Sequence, residues 1–138
     1  MESVMVAQAF DKALSAAKKG DMLPAMNLAA LLSSMGLAMD DGTLVISAIS
    51  VGSCGGPMIA LSKLETVNPP GLKDLLATST KELVAALEDL KPQLSGDKRD
   101  ADAILKVLGS LGKVATVLNQ KIMEFQQFPP FGGPGARP

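Results

Sequence analysis

Residues 101–125, ADAILKVLGSLGKVATVLNQKIMEF, carry the most regular apolar pattern of the 138-residue chain. Apolar side chains recur there at alternating spacings of three and four residues. Such a heptad seam is typical of a long amphipathic helix that packs along its length against another helix. We expect this helix to start at Ser95-Gly96-Asp97 and to stop at Pro129-Pro130. The seam consists of Ala101, Ile104, Leu108, Leu111, Ala115, Leu118, Ile122 and Phe125.

Two further amphipathic helices are predicted upstream of this seam. The segment from Glu2 to Lys19 has apolar residues at helical spacing, and Gly20 after it is a residue that commonly ends helices. The segment from Leu72 to Leu90 carries a leucine-rich stripe. Pro92 is expected to end that helix, because proline has no backbone N–H to donate.

Two segments between these helices contain no charged residue. The first runs from Met22 to Met39, where Asp21 is placed to cap a helix, and the second covers residues 42–62. Residues 43–51 are rich in β-branched side chains and fit either a helix or a strand. A lone strand would have no partner in a helical chain, so we expect a helix. Gly52–Pro57 is predicted to interrupt it, with a short helix following as far as about Val67.

Taken together, the segments predict an all-α bundle of five or six helices with short loops. The predicted domain spans residues 1–128. Residues 129–138 are rich in proline and glycine and are expected to form an irregular tail.

The composition excludes several classes of function. The chain has 13 Lys and Arg against 14 Asp and Glu, so it lacks the basic excess of a nucleic-acid-binding protein. It has one cysteine and no histidine, which excludes an intrachain disulfide, a Cys/His zinc site and histidine-based nucleophilic catalysis. We therefore expect a protein that is not an enzyme, holds no cofactor or metal, and does not bind nucleic acid.

Cys54, in the sequence Gly-Ser-Cys-Gly-Gly, allows two interpretations. A glycine-rich turn could expose a reactive thiol, or a small apolar residue could occupy a place where two backbones approach closely. The second is favoured, since no histidine is present to act as a base. Small residues also recur every four positions at Ala25-Ala29-Ser33 and Ala48-Gly52-Gly56, a spacing that permits close helix packing.

The two uncharged helices carry more apolar surface than a chain of this length can easily bury. We expect that surplus to be covered by copies of the same chain, in an oligomer or a filament. The second helix, the third helix and the C-terminal tail would supply the contacts. The residues expected at this interface are Met26, Ala30, Leu32, Met35, Ile46, Ile49, Phe125, Phe128 and Phe131.

Two other functions stay open at this level. The hairpin of residues 22–62 is long enough to enter a membrane, with Lys18-Lys19 before it and Lys63 after it, as the positive-inside rule expects. A carrier of an apolar ligand would need an internal cavity. The single cysteine and the lack of a signal-peptide pattern, a basic region followed by an apolar one, favour a cytoplasmic location. Membrane association and non-classical export are the alternatives.

Overall fold

Five α-helices make up the part of the chain that the computed structural model describes, residues 2–64, 70–96 and 99–127. No strand occurs within these ranges, which confirms the all-α prediction and the helix expected at residues 43–51. The predicted tail at 129–138 lies outside them. The helices are α1 (Glu2–Ala17), α2 (Leu23–Ala38), α3 (Gly42–Ser62), α4 (Leu72–Ser95) and α5 (Ala101–Gln127).

Helices α2 and α3 form a tight antiparallel hairpin. Gly36 lies against Val45 close to the turn, and Gly55 lies against Met26 at the other end of the pair. A Cβ atom added at Gly36 would be 2.6 Å from Cγ2 of Val45. The two backbones are therefore close enough that only glycine fits at this contact.

Helix α5 runs parallel to α3. Near the start of both helices, the side chain of Arg99 contacts that of Asp41. Further along, Sγ of Cys54 lies 3.2 Å from the carbonyl oxygen of Leu111. Helix α4, which lies between α3 and α5 in the sequence, runs in the opposite direction and contacts α1, α3 and α5. The result is an up-and-down bundle in which α3 packs against α2, α4 and α5.

Local start and stop signals account for the connection between α1 and α2. Helix α1 ends at Ala17, and Gly20 then adopts a φ of +87°, the left-handed conformation that glycine tolerates best. Oδ1 of Asp21 accepts a hydrogen bond from the backbone N–H of Leu23 at 3.0 Å. The predicted stop is thus present, although α1 is two residues shorter than expected. The N-cap of α2 is Met22 and not the predicted Asp21, which binds the first helical N–H from one position earlier.

Residues 52–57 do not interrupt α3, so the predicted break and the separate short helix were wrong. The helix is continuous from Gly42 to Ser62 with Pro57 inside it. Proline removes one backbone hydrogen bond, but Cys54 and Met58 on either side of it are buried in the core and hold the turn in place. The glycines of this stretch serve close packing on α2 rather than a turn, and Val67 lies outside the described residues.

The boundary between α4 and α5 also differs from the prediction. Pro92 does not end α4, which continues to Ser95 and buries Leu94. Ser95 therefore belongs to α4 and does not start the last helix. Oδ1 of Asp100 accepts hydrogen bonds from the N–H groups of Asp102 and Ala103 at 3.1 and 3.2 Å, so Asp100 caps α5. Asp97 lies outside the described residues.

The heptad seam of α5 faces the bundle core along most of its length. Ile104, Leu108, Leu111 and Leu118 are buried, and Ala115, Ile122 and Phe125 are half-buried against the core. Ala101, the first, is exposed. The partner helices that the seam requires are α3 and α4 of the same chain.

Candidate interaction face

Small residues of α2 and α3 lie in the contact between these two helices. On α3, Gly52 lies 3.9 Å (measured from an added Cβ) from Cβ of Ala29, and Gly56 lies at the same distance from Cε of Met26. Ala48 is buried in the same stripe. The close packing expected from the small-residue spacing is therefore present, but within one chain. It does not by itself call for a second copy.

The outward side of the α2–α3 hairpin nevertheless carries no charge. Ile46 and Ile49 of α3 are 51 % and 62 % exposed, and Ser53 and Ala60 continue the same helix face. On α2, the flanking position Leu37 is 73 % exposed. Neither helix contains a charged residue at any position, so no lysine or glutamate breaks this surface.

Helix α5 extends the uncharged surface on the other side of α3. Lys106 and Lys113 lie on the side of α5 that borders the groove with α4. The opposite side has no charge between residues 103 and 123: at helical spacing it presents Leu105, Gly109, Gly112, Thr116, Asn119 and Met123, all of them exposed. The charges of α5 are thus confined to one half of the helix.

Gly109 and Gly112 have no packing reason in the part of the chain that the structure describes. A Cβ atom added at either glycine would meet no heavy atom of the described residues within 4 Å. Glycine inside an exposed helix destabilises it by about 1 kcal/mol relative to alanine. The two positions are three residues apart, and both are exposed on α5.

We call the outward side of α3, with the adjoining flanks of α2 and α5, the uncharged face. Its principal members are Ala30, Leu37, Ile46, Ile49, Ser53, Ala60, Leu105, Gly109, Gly112, Thr116 and Met123. Its large side chains are aliphatic or methionine. The exposed side chains of Leu37, Ile46, Ile49, Leu105 and Met123 make this face a candidate interaction surface.

The predicted interface residues divide into three groups. Ala30, Ile46 and Ile49 lie on the uncharged face, and Met26 is half-buried at its edge against Gly55. Leu32 is fully buried, and Met35 and Phe125 pack half-buried against the core, so these three belong to the fold of the single chain. Phe128 and Phe131 lie outside the described residues.

Sequence reasoning missed the contribution of α5 to this face. The valines beside its seam, Val107, Val114 and Val117, line the grooves with α4 and not this face. The positions of the charges held the signal. Lys106 and Lys113 share one side of the helix, which leaves the side of Leu105 and Gly112 uncharged.

Cys54 has the environment of a structural residue. It is fully buried, and its thiol donates a hydrogen bond to the carbonyl oxygen of Leu111 at 3.2 Å. Burial raises the pKa of the thiol to about 11, so it remains protonated near neutral pH. A protonated, inaccessible thiol is a poor nucleophile.

Two other features of the described residues bear on metal and ligand binding. Within the described ranges, no cluster of three or more Cys, Asp or Glu side chains could hold a metal ion. A groove of about 850 Å³ lies between α1 and α2, lined by Ala9, Lys12, Leu28 and Leu31 among others. It is open to solvent, so an apolar ligand lying in it would keep one side in water.

In comparisons with protein-family models, with curated proteins and with solved structures, no match to this chain was found.

Proposed function

We propose that this protein is a non-enzymatic structural or interaction subunit that associates with copies of itself. The observation that carries the proposal is the uncharged face. Ile46 and Ile49 are more than half exposed there, and no charged side chain lies on α2, on α3 or on the adjoining flank of α5. Burial of such a surface stabilises an assembly by about 25 cal/mol for each Å² of apolar area removed from water. Homomeric contacts are the commonest way for soluble proteins to cover it.

Insertion into a membrane is the second candidate. Among the described residues, α3 is long and apolar enough to cross a bilayer, although 44 % of the relevant window is buried inside the bundle. Helix α2 has 16 residues and spans about 24 Å, which is short for a hydrocarbon core of about 30 Å. Insertion of the hairpin would also require α3 to leave its contacts with α4 and α5. Self-association requires neither a longer α2 nor the separation of α3 from α4 and α5.

The experiment that separates the two uses light scattering after size-exclusion chromatography, without detergent. Self-association predicts a mass above that of one chain for the wild type and a shift towards the monomer for Ile49→Asp. The matched control is Val117→Asp, which places the same charge at an exposed position of α5 on the α4 side. It should leave the assembly intact.

The second arm is flotation with vesicles of phosphatidylcholine and phosphatidylglycerol. A wild type that is monomeric in buffer and floats with the vesicles would overturn self-association in favour of membrane insertion. A wild type that is monomeric and stays in solution would overturn both.

A further inference from the structure

We propose that α3 is the centre of a two-fold dimer, in which it packs antiparallel on α3 of a second copy. The two-fold axis lies in the plane of the uncharged face, runs at right angles to α3 and crosses it at the level of Val51. The inference rests on the proposed self-association and adds which helices meet, in which direction and in which register. The contact is isologous, so the assembly closes at two copies.

The outward residues of α3 form a heptad seam of their own. Exposed positions follow one another there at spacings of four, three, four and seven residues: Gly42, Ile46, Ile49, Ser53 and Ala60. Such a seam is typical of a helix that packs along its length against another helix. Because these positions are exposed, no other helix among the described residues packs over them. A second copy of α3 supplies a matching seam.

The side chains of this seam are large in the first half of α3 and small in the second half. Ile46 and Ile49 are 51 % and 62 % exposed, and Ser53 and Gly56 come after them. An antiparallel partner centred on Val51 brings Ile49 level with the partner's Ser53. The same count brings Ile46 level with the partner's Gly56. Each isoleucine then lies over a small residue, which lets the two helices approach closely.

The other two-fold pairing of this face is less complementary. An axis parallel to the helices would lay α3 parallel on the partner's α5. Since Cys54 lies beside Leu111, a residue of α3 is level with the residue of α5 about 57 positions later. Ile46 and Ile49 would therefore lie at the level of the partner's Leu105, with large side chains on a large one. The antiparallel α3 pair avoids this mismatch.

The antiparallel pair also brings the two α5 flanks into a complementary register. By the same alignment, Val51 is level with Leu108 of α5. Leu105 then comes within about one residue of the level of the partner's Gly112. An added Cβ at Gly112 would meet no heavy atom of the described residues within 4 Å, and Leu105 is 60 % exposed. The flank of α5 therefore has room for a large side chain of the partner.

The polar side chains of the face do not oppose its burial. Oγ of Ser53 donates a hydrogen bond to the carbonyl oxygen of Ile49 at 2.7 Å. On the flank, Oγ1 of Thr116 donates one to the carbonyl oxygen of Gly112 at 3.0 Å. A hydroxyl that is already hydrogen-bonded within its own helix leaves no unsatisfied donor when water is removed.

The charges at the two ends of α3 indicate the same register independently. Asp40 precedes the helix by two residues and Lys63 follows it directly, and neither forms an ion pair with another of the described residues. The axis at Val51 brings Asp40 within one residue of the level of the partner's Lys63, at both ends of the pair. A parallel pair would place Asp40 beside the partner's Asp40. Opposite charges at the rim favour the antiparallel orientation.

The size of the face is sufficient for a specific dimer. Helix α3 has 21 residues and is about 32 Å long. With helix axes about 8–10 Å apart, α3 and its flanks present a face roughly 20 Å wide. The flat area is then roughly 600 Å² for each copy, before the relief of the side chains is added. Specific interfaces bury about 1,200–2,000 Å² over both partners, so the face reaches the lower end of this range.

Disulfide cross-linking between two different cysteine variants tests direction and register together. One chain carries Gly42→Cys and the other Ala60→Cys, and both keep the buried Cys54. In the dimer these positions lie opposite each other, since each is nine residues from Val51. Mild oxidation of an equilibrated mixture should therefore give a covalent dimer on a non-reducing gel. Either variant alone should give none, because each cysteine lies about 27 Å from its twin, too far for a disulfide.

The matched control for this mixture is Gly42→Cys with Val117→Cys. Val117 is at the level of Ala60, but it is exposed on the side of α5 that borders the groove with α4. The control mixture should give no covalent dimer, because the second cysteine is then outside the uncharged face.

A second variant tests the charges at the ends of α3 without cross-linking. Lys63→Glu places like charges together at both ends of the pair and should raise the dissociation constant roughly threefold to tenfold. The increase should shrink at high salt, which screens exposed charges. Lys81→Glu, at an exposed position of α4, is the matched control and should leave the dissociation constant unchanged. Helical circular dichroism of both variants verifies that the bundle folds.

The outcomes separate this inference from the proposed function. A wild type that stays monomeric in sedimentation equilibrium overturns both. A wild type that associates while the mixture gives no cross-link, or while either cysteine variant cross-links alone, retains self-association and overturns the antiparallel α3 pair. A mass that rises beyond two copies overturns closure by a two-fold axis, because a closed dimer offers no free face.

Discussion

Nη1 of Arg99 lies 2.6 Å from Oδ2 of Asp41, and this contact joins the turn before α3 to the segment before α5. The other carboxylate oxygen of Asp41 accepts a hydrogen bond from the backbone N–H of Thr43 at 3.1 Å. Both side chains of the pair are less than one third exposed, at 29 % and 23 %. One carboxylate therefore caps α3 and also holds α3 level with α5, the alignment on which the uncharged face depends.

Replacing this carboxylate should destabilise the fold more than replacing its partner. Asp41→Ala removes a helix cap, which costs about 1 kcal/mol, and the ion pair, which contributes roughly 0.2–1 kcal/mol. Arg99→Met removes only the pair and keeps most of the side-chain stem. The free energy of unfolding in urea should therefore fall further for Asp41→Ala. Asp89→Ala, at an exposed position of α4, is the control and should change it by less than about 0.5 kcal/mol. Equal values for all three variants would contradict the assigned role.

The stability of the wild type should fall in acid partly through Asp41. Partial burial acts to raise the pKa of this carboxyl. The hydrogen bond and charge of Arg99, with the N–H groups of Leu44 and Thr43, outweigh it and hold the pKa below its ordinary value of 3.8. A carboxyl with a depressed folded pKa contributes stability above the unfolded value and loses it as the pH falls through the folded one.

Thermal unfolding measured at several pH values tests this contribution against Asp41→Asn. The asparagine keeps a capping oxygen but does not titrate. Between about pH 5 and about pH 2 the wild type should lose more stability than the variant, so the melting temperatures of the two proteins should converge as the pH falls. A constant difference between them across this range would show that Asp41 does not carry the effect.

Three glycine-to-alanine changes should have three different effects. At Gly36 the new Cβ would lie 2.6 Å from Cγ2 of Val45 and 2.9 Å from the carbonyl oxygen of Asp41, so the change should cost about 1–3 kcal/mol. At Gly55 the closest atom is Sδ of Met26, at 2.8 Å, and this flexible side chain can move aside. The cost there should be smaller. At Gly109 no heavy atom of the described residues lies within 4 Å of the added Cβ, and alanine should stabilise the helix by up to about 1 kcal/mol.

Urea unfolding at concentrations low enough to keep the chain monomeric measures this series. The predicted order of stability places Gly109→Ala first, then the wild type, then Gly55→Ala and finally Gly36→Ala. If Gly36→Ala were as stable as the wild type, the close approach of α2 and α3 would be disproved.

The all-helical fold could be predicted from the sequence, but several of the helix ends could not. The heptad seam of α5 and the stop at Gly20 are local signals, and both are present in the structure. Pro57 and Pro92 led to wrong predictions of helix boundaries, because the local effect of a proline is the loss of one hydrogen bond. The burial of Met58 and Leu94 near them depends on helices that are distant in the sequence. Tertiary packing decided those two places.

The interaction face was predictable only in part for a related reason. Ile46 and Ile49 lie in an uncharged segment, and their exposure could be anticipated from the small size of the bundle. Leu32 lies in an equally uncharged segment but faces the core, because α2 has apolar residues all around and no polar stripe to indicate its orientation. The exposure of Gly109 and Gly112 required knowledge of which side of α5 contacts α4.

Cys54 should resist modification in the native protein. The thiol is fully buried, and burial raises its pKa from 9.0 to about 11. Iodoacetamide at pH 8 should leave it unlabelled in the folded chain and should label it completely in concentrated urea. Mass spectrometry after quenching gives the extent of labelling. Rapid labelling of the folded protein would contradict the structural role and would reopen the possibility of thiol chemistry.

The most direct test of the central claim is sedimentation equilibrium of the wild-type chain across a range of concentrations, without detergent or lipid. If the uncharged face is covered by copies of the same chain, the weight-average mass should rise above the 14.2 kDa of one chain as the concentration increases. A mass that remains at 14.2 kDa up to the highest soluble concentration would contradict the claim.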